Sequence, residues 1–210
     1  MSASSAAVAG PFAPPFAPPR ESPPVELEAH VAALHPHAWV KGIFFLDAMA
    51  LARASAPHVD IEARAGIPRR RYMPFLNYSC ADWLRVKVAC AETLFPDLPQ
   101  GAAVRAFGRT ALQAFLQSRA GRLMFDLVSP TLADALSRAP SAYRIISNAG
   151  SIRFVRQGPT VGDIVFEGFP GCLESYQVGI VEGVCEHYRQ PVSITCSFPT
   201  LVDGTIRVSW

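Results

Sequence analysis

The sequence predicts an α+β protein: a helical amino-terminal half packed on a small antiparallel sheet, closing in the order strand, strand, helix, strand, strand. Three observations carry this. Ala38 to Arg138 reads as a run of helices, with the three-to-four apolar period of amphipathic helices clearest in Gln100 to Gln117. After Pro191 the period falls to two, with Val192, Ile194, Cys196 and Phe198 alternating with Ser193, Thr195 and Ser197, as in a half-buried strand. Between them, Cys172, Tyr176, Gly179, Ile180, Gly183, Val184 and His187 mark one helix face, on which Ser175, Gly179 and Gly183 stand four apart. A glycine inside a helix costs about 1 kcal/mol against alanine, so its repeated use points to close approach of another backbone or of a ligand.

Taken in order, residues 1–24 are a proline- and alanine-rich arm with the near-repeat PFAPPFAPP, expected to be extended and mobile because proline removes backbone donors. Residues 25–210 form the single domain. Val25 to Leu34 is a short helix, and Trp39 to Ala54 a strongly apolar one. Ala56 to Arg71 holds a short helix within a longer connection. A further helix starts near Ser79, where Ser79 and Asp82 fit a capping pair. Leu84, Val88 and Ala91 carry it to Phe95, with Trp83 and Lys87 on flanking positions. Gln100 to Gln117 places Val104, Phe107, Ala111, Leu112, Phe115 and Leu116 in one stripe, the cleanest core helix. Gly121 to Val128 and Pro130 to Leu136 add two more, with Pro130 at a helix start. Pro140 to Gly150 is a transition. Ser151 to Gln157 and Val161 to Glu167 form a hairpin, with Gly158, Gly162 and Gly168 as turn glycines. The LVDG turn at Leu201 to Gly204 leads into a final strand ending at Trp210.

A chain of 210 residues, half of them hydrophobic and 17% charged, suffices for one real core. Arg69, Arg70 and Arg71 sit in a proline-flanked loop without the interleaved aromatics of a nucleic-acid stripe, so no nucleic-acid partner is expected. The five cysteines are odd in number, widely spaced and set among apolar residues, the usage of thiols in a reducing compartment. No apolar run approaches the about 18 residues of a membrane span. The amino terminus lacks the basic and apolar regions of a secretory signal, and the expected location is the cytoplasm.

Catalytic signatures are missing: no GxSxG motif, glycine-rich phosphate loop, HExxH motif or Cys-His pair at nucleophile spacing occurs. His35 and His37 offer at most two metal ligands across a proline and read as a loop. Glu182, Glu186 and His187 could form an acid–base group, but a solvated helix surface is the simpler reading. Arg144 could hold a carboxylate or phosphate in bidentate fashion, or pair with Asp134.

Lys41, Gly42, Phe44 and Phe45, then Phe107, Gly108 and Arg109 with Phe115, Ser118, Gly121 and Arg122, then Pro140 to Arg144, and finally Ser209 with Trp210 resemble a myxobacterial family of uncharacterised proteins. The Pro170 to Tyr188 helix and the strand pairs around it are more distantly similar to the superfamily of haem-NO-binding (H-NOX) domains, 4-vinyl-reductase-type sensors and TRAPP subunits. This resemblance implies an internal pocket between helices and sheet for haem, a phenolic compound or an acyl chain. The pocket it implies would be lined by Trp83, Phe115, Tyr143, Arg144, Phe169, Tyr176 and His187. No histidine stands between His58 and His187, and the strand before Pro170 reads VFEGFP, which departs from H-NOX haem ligation. Cys172 and Cys196 fall near two cysteine places of the 4-vinyl-reductase zinc site, while Ser193 and Thr205 stand where its acid and last cysteine would be; two thiols cannot close a tetrahedral site. The resulting expectation is a non-catalytic small-molecule-binding or sensory domain without cofactor or metal. Its partner would be a small hydrophobic ligand, with homodimerisation through helices open. The alternatives are an enzyme or accessory protein of secondary metabolism and a protein–protein interaction scaffold.

Overall fold

The computed structural model describes residues 22–117 and 129–210. The expected helix at Gly121 to Val128 and most of the amino-terminal arm lie outside them. The elements run α1 (Leu27–Ala32), β1 (Trp39–Lys41), α2 (Gly42–Ser55), α3 (Ile61–Arg64), β2 (Asn77–Ser79), α4 (Cys80–Leu94), α5 (Gln100–Gln117), α6 (Leu132–Ile146), β3 (Ser151–Gly158), β4 (Val161–Glu167), a π-helical turn (Leu173–Gln177), α7 (Val178–His187), β5 (Ser193–Ser197) and β6 (Gly204–Ser209). The class is α+β, as expected.

The four-stranded sheet has the order β3-β4-β6-β5 and is antiparallel throughout. Its register sets Phe154 opposite Ile164, Ile164 opposite Ile206, and Ile206 opposite Cys196. With a period of two, these residues share one face, and Ile164, Phe166, Cys196, Ile206 and Val208 are buried against α7 and its neighbours. Asp163 lies directly across from Arg207, whose Nε and Nη2 donate to it at 2.7 and 2.8 Å. Gly162, expected in a turn, sits inside β4, where the Phe154 ring occupies the space a Cβ would need, 2.5 Å away.

The glycine-spaced helix packs on α5 almost backbone to backbone. A Cβ on Gly179 would stand 2.0 Å from the Arg105 carbonyl oxygen, and one on Gly108 2.4 Å from that of Tyr176. Two ion pairs flank the seam. Arg105 Nε donates to Glu182 at 3.0 Å, and Arg109 Nη1 to Glu186 at 3.2 Å. The carboxylates of the suspected acid–base group therefore bind arginines of α5.

Three local expectations are corrected. Trp39 to Lys41 is a strand, paired antiparallel with β2 through Val40 and Tyr78; long-range pairing overrides an apolar run that reads as helix. α6 passes through Pro140 to Ile146, although an interior proline removes one helical hydrogen bond. Thr131 is its N-cap, accepting from Asp134 N–H at 3.2 Å, just after Pro130. Third, Cys172 to Gln177 does not begin the α-helix. Cys172 adopts φ 58°, ψ 62°, a left-handed conformation that costs a non-glycine residue about 1–2 kcal/mol, and a π-helical turn follows it. The capping pair at α4 forms as expected, with Asp82 N–H donating to Ser79 Oγ at 3.4 Å.

Two cores result. One joins α1, α2, α4 and the first half of α5; the other joins the sheet, α6, α7 and the end of α5, and Ile180 touches both.

Candidate functional site

α4 buries Cys80, Trp83, Leu84 and every residue from Val86 to Ala91, as a helix packed on several sides does. Lys87 is thus placed at an apolar position and is only 2% exposed. Its Nζ donates to the Gly171 carbonyl at 3.3 Å and lies 4.3 Å from the centroid of the Tyr176 ring and 5.8 Å from that of Trp83. No carboxylate among the described residues pairs with it. Burial lowers the Lys87 pKa, opposed by the neighbouring Cys172 and Cys80. Burial also pushes the Cys80 thiol up to about 11 and raises that of Cys172, so both stay protonated at neutral pH. A buried ammonium without an acid is costly, and the two ring faces and one carbonyl offset part of that.

His30 of α1 is 4% exposed, and its Nδ1 has no hydrogen-bond partner. Burial, and secondarily the positive charge of Lys87, lower its pKa to about 4, leaving the imidazole neutral at pH 7. His30 and Cys172 line an open groove of about 300 Å³ together with Val25, Leu173, Ser175 and Phe198. A second depression of about 340 Å³, around Arg53, His58 and Asp60, lies at the Asp60–Arg69 ion pair.

The residues expected to line one pocket divide among several places. Trp83 and Tyr176 enclose Lys87. Tyr143 and Phe169 meet each other, rings 5.0 Å apart, and the Tyr143 hydroxyl donates to the Ala149 carbonyl at 2.6 Å. Burial raises the Tyr143 pKa, and the residue ties α6 to β3. Phe115 is half-buried in the sheet core. Arg144 is exposed and reaches Ser141 of its own helix at 3.5 Å, while Asp134, its suspected partner, accepts from the Thr131 hydroxyl. His187 ends α7 with its ring edge-on to Tyr188 at 5.0 Å. Cys172 and Cys196 belong to different cores, and the described residues contain no group of three or more His, Cys, Asp or Glu placed to hold a metal. In the arginine loop, Arg69 pairs with Asp60 and Arg70 with Asp82. The sequence offers no reading of His30 and sets Trp83 and Lys87 on flanking positions of their helix, whereas the structure buries both. The Lys87 signal is its place within an otherwise apolar run, Val86 to Ala91; His30, on a six-residue helix, carries none.

This arrangement of helices and sheet is the H-NOX fold. An iron(II) unliganded H-NOX variant from K. algicida superposes with a TM-score of 0.62 at 10% identity, covering 80% of this chain and 95% of that one. An iron(II)–NO H-NOX protein from S. oneidensis gives 0.60 at 14% identity, covering 80% and 98%. A T. Tengcongensis H-NOX variant gives 0.59 at 14% identity, covering 80% and 96%. The chain belongs to the family described as protein of unknown function (DUF2378), whose model matches residues 34–210. No curated protein matches it.

Haem is associated with the H-NOX family, but the residues here do not fit it. Residues 59–186 contain no histidine. Side chains fill the junction of α4, α5 and the π-helical turn: the Phe107 and Tyr176 rings lie 5.9 Å apart, Tyr176 is buried, and Lys87 reaches Gly171. Among the described residues no helix is long and apolar enough to cross a membrane.

Proposed function

We propose that this protein is a non-catalytic small-molecule-binding domain of the sensory kind, built on the H-NOX fold without haem. Its ligand occupies the groove between α1 and the Gly171–Ser175 turn. The observation that carries this reading is the unpartnered Nδ1 of buried His30 on the groove lining, backed through Cys172 by the acid-free Lys87. Buried polar atoms are almost always paired; Nδ1 itself is sealed from solvent, so a ligand's polar group would pair with it only by shifting the lining of the groove. The groove is at the small end of ligand sites, and its Val25, Leu173 and Phe198 walls suit a compact apolar molecule with one hydroxyl, carboxyl or amide group. Binding would change the contacts of His30 and the Cys172 turn, and through Gly171 those of Lys87.

A second reading is favoured by one observation. The aromatic packing of Phe107, Trp83 and Tyr176 inside the helical core leaves the surface as the place for recognition, as in an interaction scaffold. A thermal-shift screen of the full chain against small phenols, aromatic acids and fatty acids separates the two. A ligand at about a hundred times its Kd stabilises by about 2.7 kcal/mol, roughly 5–10 °C here, and His30→Phe is expected to remove the shift. The small-molecule reading is abandoned if no compound moves the wild-type transition and native mass spectrometry finds no co-purified ligand.

A further inference from the structure

Among the described residues, Ile43, Met73, Phe75 and Leu76 are four of seven large apolar side chains left exposed, Phe75 at 85%. All four sit on one knuckle, where the 73–76 turn meets the first turn of α2. The knuckle is held in place. α2 has no side-chain cap at its amino end; Gly42 N–H donates to the Leu76 carbonyl at 2.9 Å and Ile43 N–H to that of Pro74 at 3.0 Å. Loop carbonyls thus satisfy amides that a helix start leaves unpaired. Met73 N–H donates to the Tyr78 hydroxyl at 2.8 Å, and Lys41 Nζ to the Phe75 carbonyl at 3.0 Å. These bonds fix Phe75 and Leu76 in water, and a fixed exposed apolar patch marks an interaction site.

The charges beside it select the partner. Of the nearby acids, Asp60 and Asp82 are occupied by Arg69 and Arg70, while Asp47, exposed one turn along α2 from Ile43, has no cationic partner among the described residues. Lys41 and Arg71 pair with no carboxylate among the described residues; Lys41 Nζ is also held by Asn77 Oδ1 at 2.7 Å and the Trp39 ring, and the two cations outnumber Asp47 beside the tip. A single turn falls short of the about 800 Å² per partner of a stable protein interface. Apolar side chains dipping between headgroups, with cations at the phosphate level, are the chemistry of an anionic bilayer surface. We propose that this knuckle is a peripheral docking tip for an anionic lipid surface, with Phe75 and Leu76 entering the interface and Lys41 and Arg71 meeting headgroup phosphates.

Co-sedimentation of the full chain with phosphatidylcholine vesicles, with and without phosphatidylserine, tests this. Binding is expected only with phosphatidylserine, to weaken with added salt, and to fall by about tenfold or more in Phe75→Ser/Leu76→Ser and about fivefold in Arg71→Gln. All three side chains are exposed, so these variants keep the fold, which circular dichroism checks. The proposal is overturned if wild-type protein ignores phosphatidylserine vesicles, or if the double variant binds them equally well. It is also overturned if the wild type is a dimer that Phe75→Ser dissociates while vesicles go unbound, which would assign the knuckle to a second copy of the chain.

Discussion

The two cores solve the same problem differently. In the sheet core the buried acid Asp163 has its counter-ion set directly opposite by strand register. In the helical core, Lys87 is buried with no acid, His30 keeps an unpartnered nitrogen, and the Tyr72 hydroxyl also lacks a partner. Apolar packing of similar volume would serve stability at least as well there. The helical half also holds a matched acid, Glu62, which accepts from the Arg70 N–H at 2.9 Å; the unmatched groups beside it are the ones on which the proposed function rests.

The largest expected effect breaks the contact between the halves. Gly179→Ala puts a methyl group against the Arg105 carbonyl, where backbone and not a flexible side chain must yield. The loss should be about 3 kcal/mol or more, a fall in Tm of roughly 6–12 °C, readable by calorimetry. Asp163→Ala tests the matched core. It strips the Arg207 guanidinium of its facing carboxylate, for a loss of about 2 kcal/mol in denaturant unfolding.

The helical core should then show its mismatch as a pH dependence. His30 has a folded pKa of about 4 against 6.5, so between these values the unfolded state binds more protons. Stability contributed by neutral His30 is present above pH 6.5 and is lost as pH falls towards 4. The loss should be on the order of 2 kcal/mol. His30→Phe should flatten this part of the profile, as urea midpoints across that range would record.

Much of this comparison was legible in the sequence, because it is written in local periods. The alternation after Pro191 and the paired runs around Gly158 gave the sheet, and the spacing of Gly179 and Gly183 gave the close seam. Ser79 with Asp82 gave the start of α4. What escaped depends on distant pairing. β1 has three residues and exists through Asn77–Ser79. Pro140 reads locally as a stop, yet α6 continues through it. His30 and Lys87 lie 57 positions apart and meet only when α1 docks on α4. The expected lining failed to converge for a related reason: Tyr143 and Phe169 are consumed by the α6–β3 junction, and Arg144 points along its own exposed helix.

The account rests on Lys87 being held in the helical core for a reason other than stability. Lys87→Met keeps the stem and removes the amine. Equilibrium unfolding of this variant at neutral pH should show stability unchanged or raised by about 1 kcal/mol. A loss of about 2 kcal/mol or more would make Lys87 a structural pin for the Gly171 carbonyl and contradict the account.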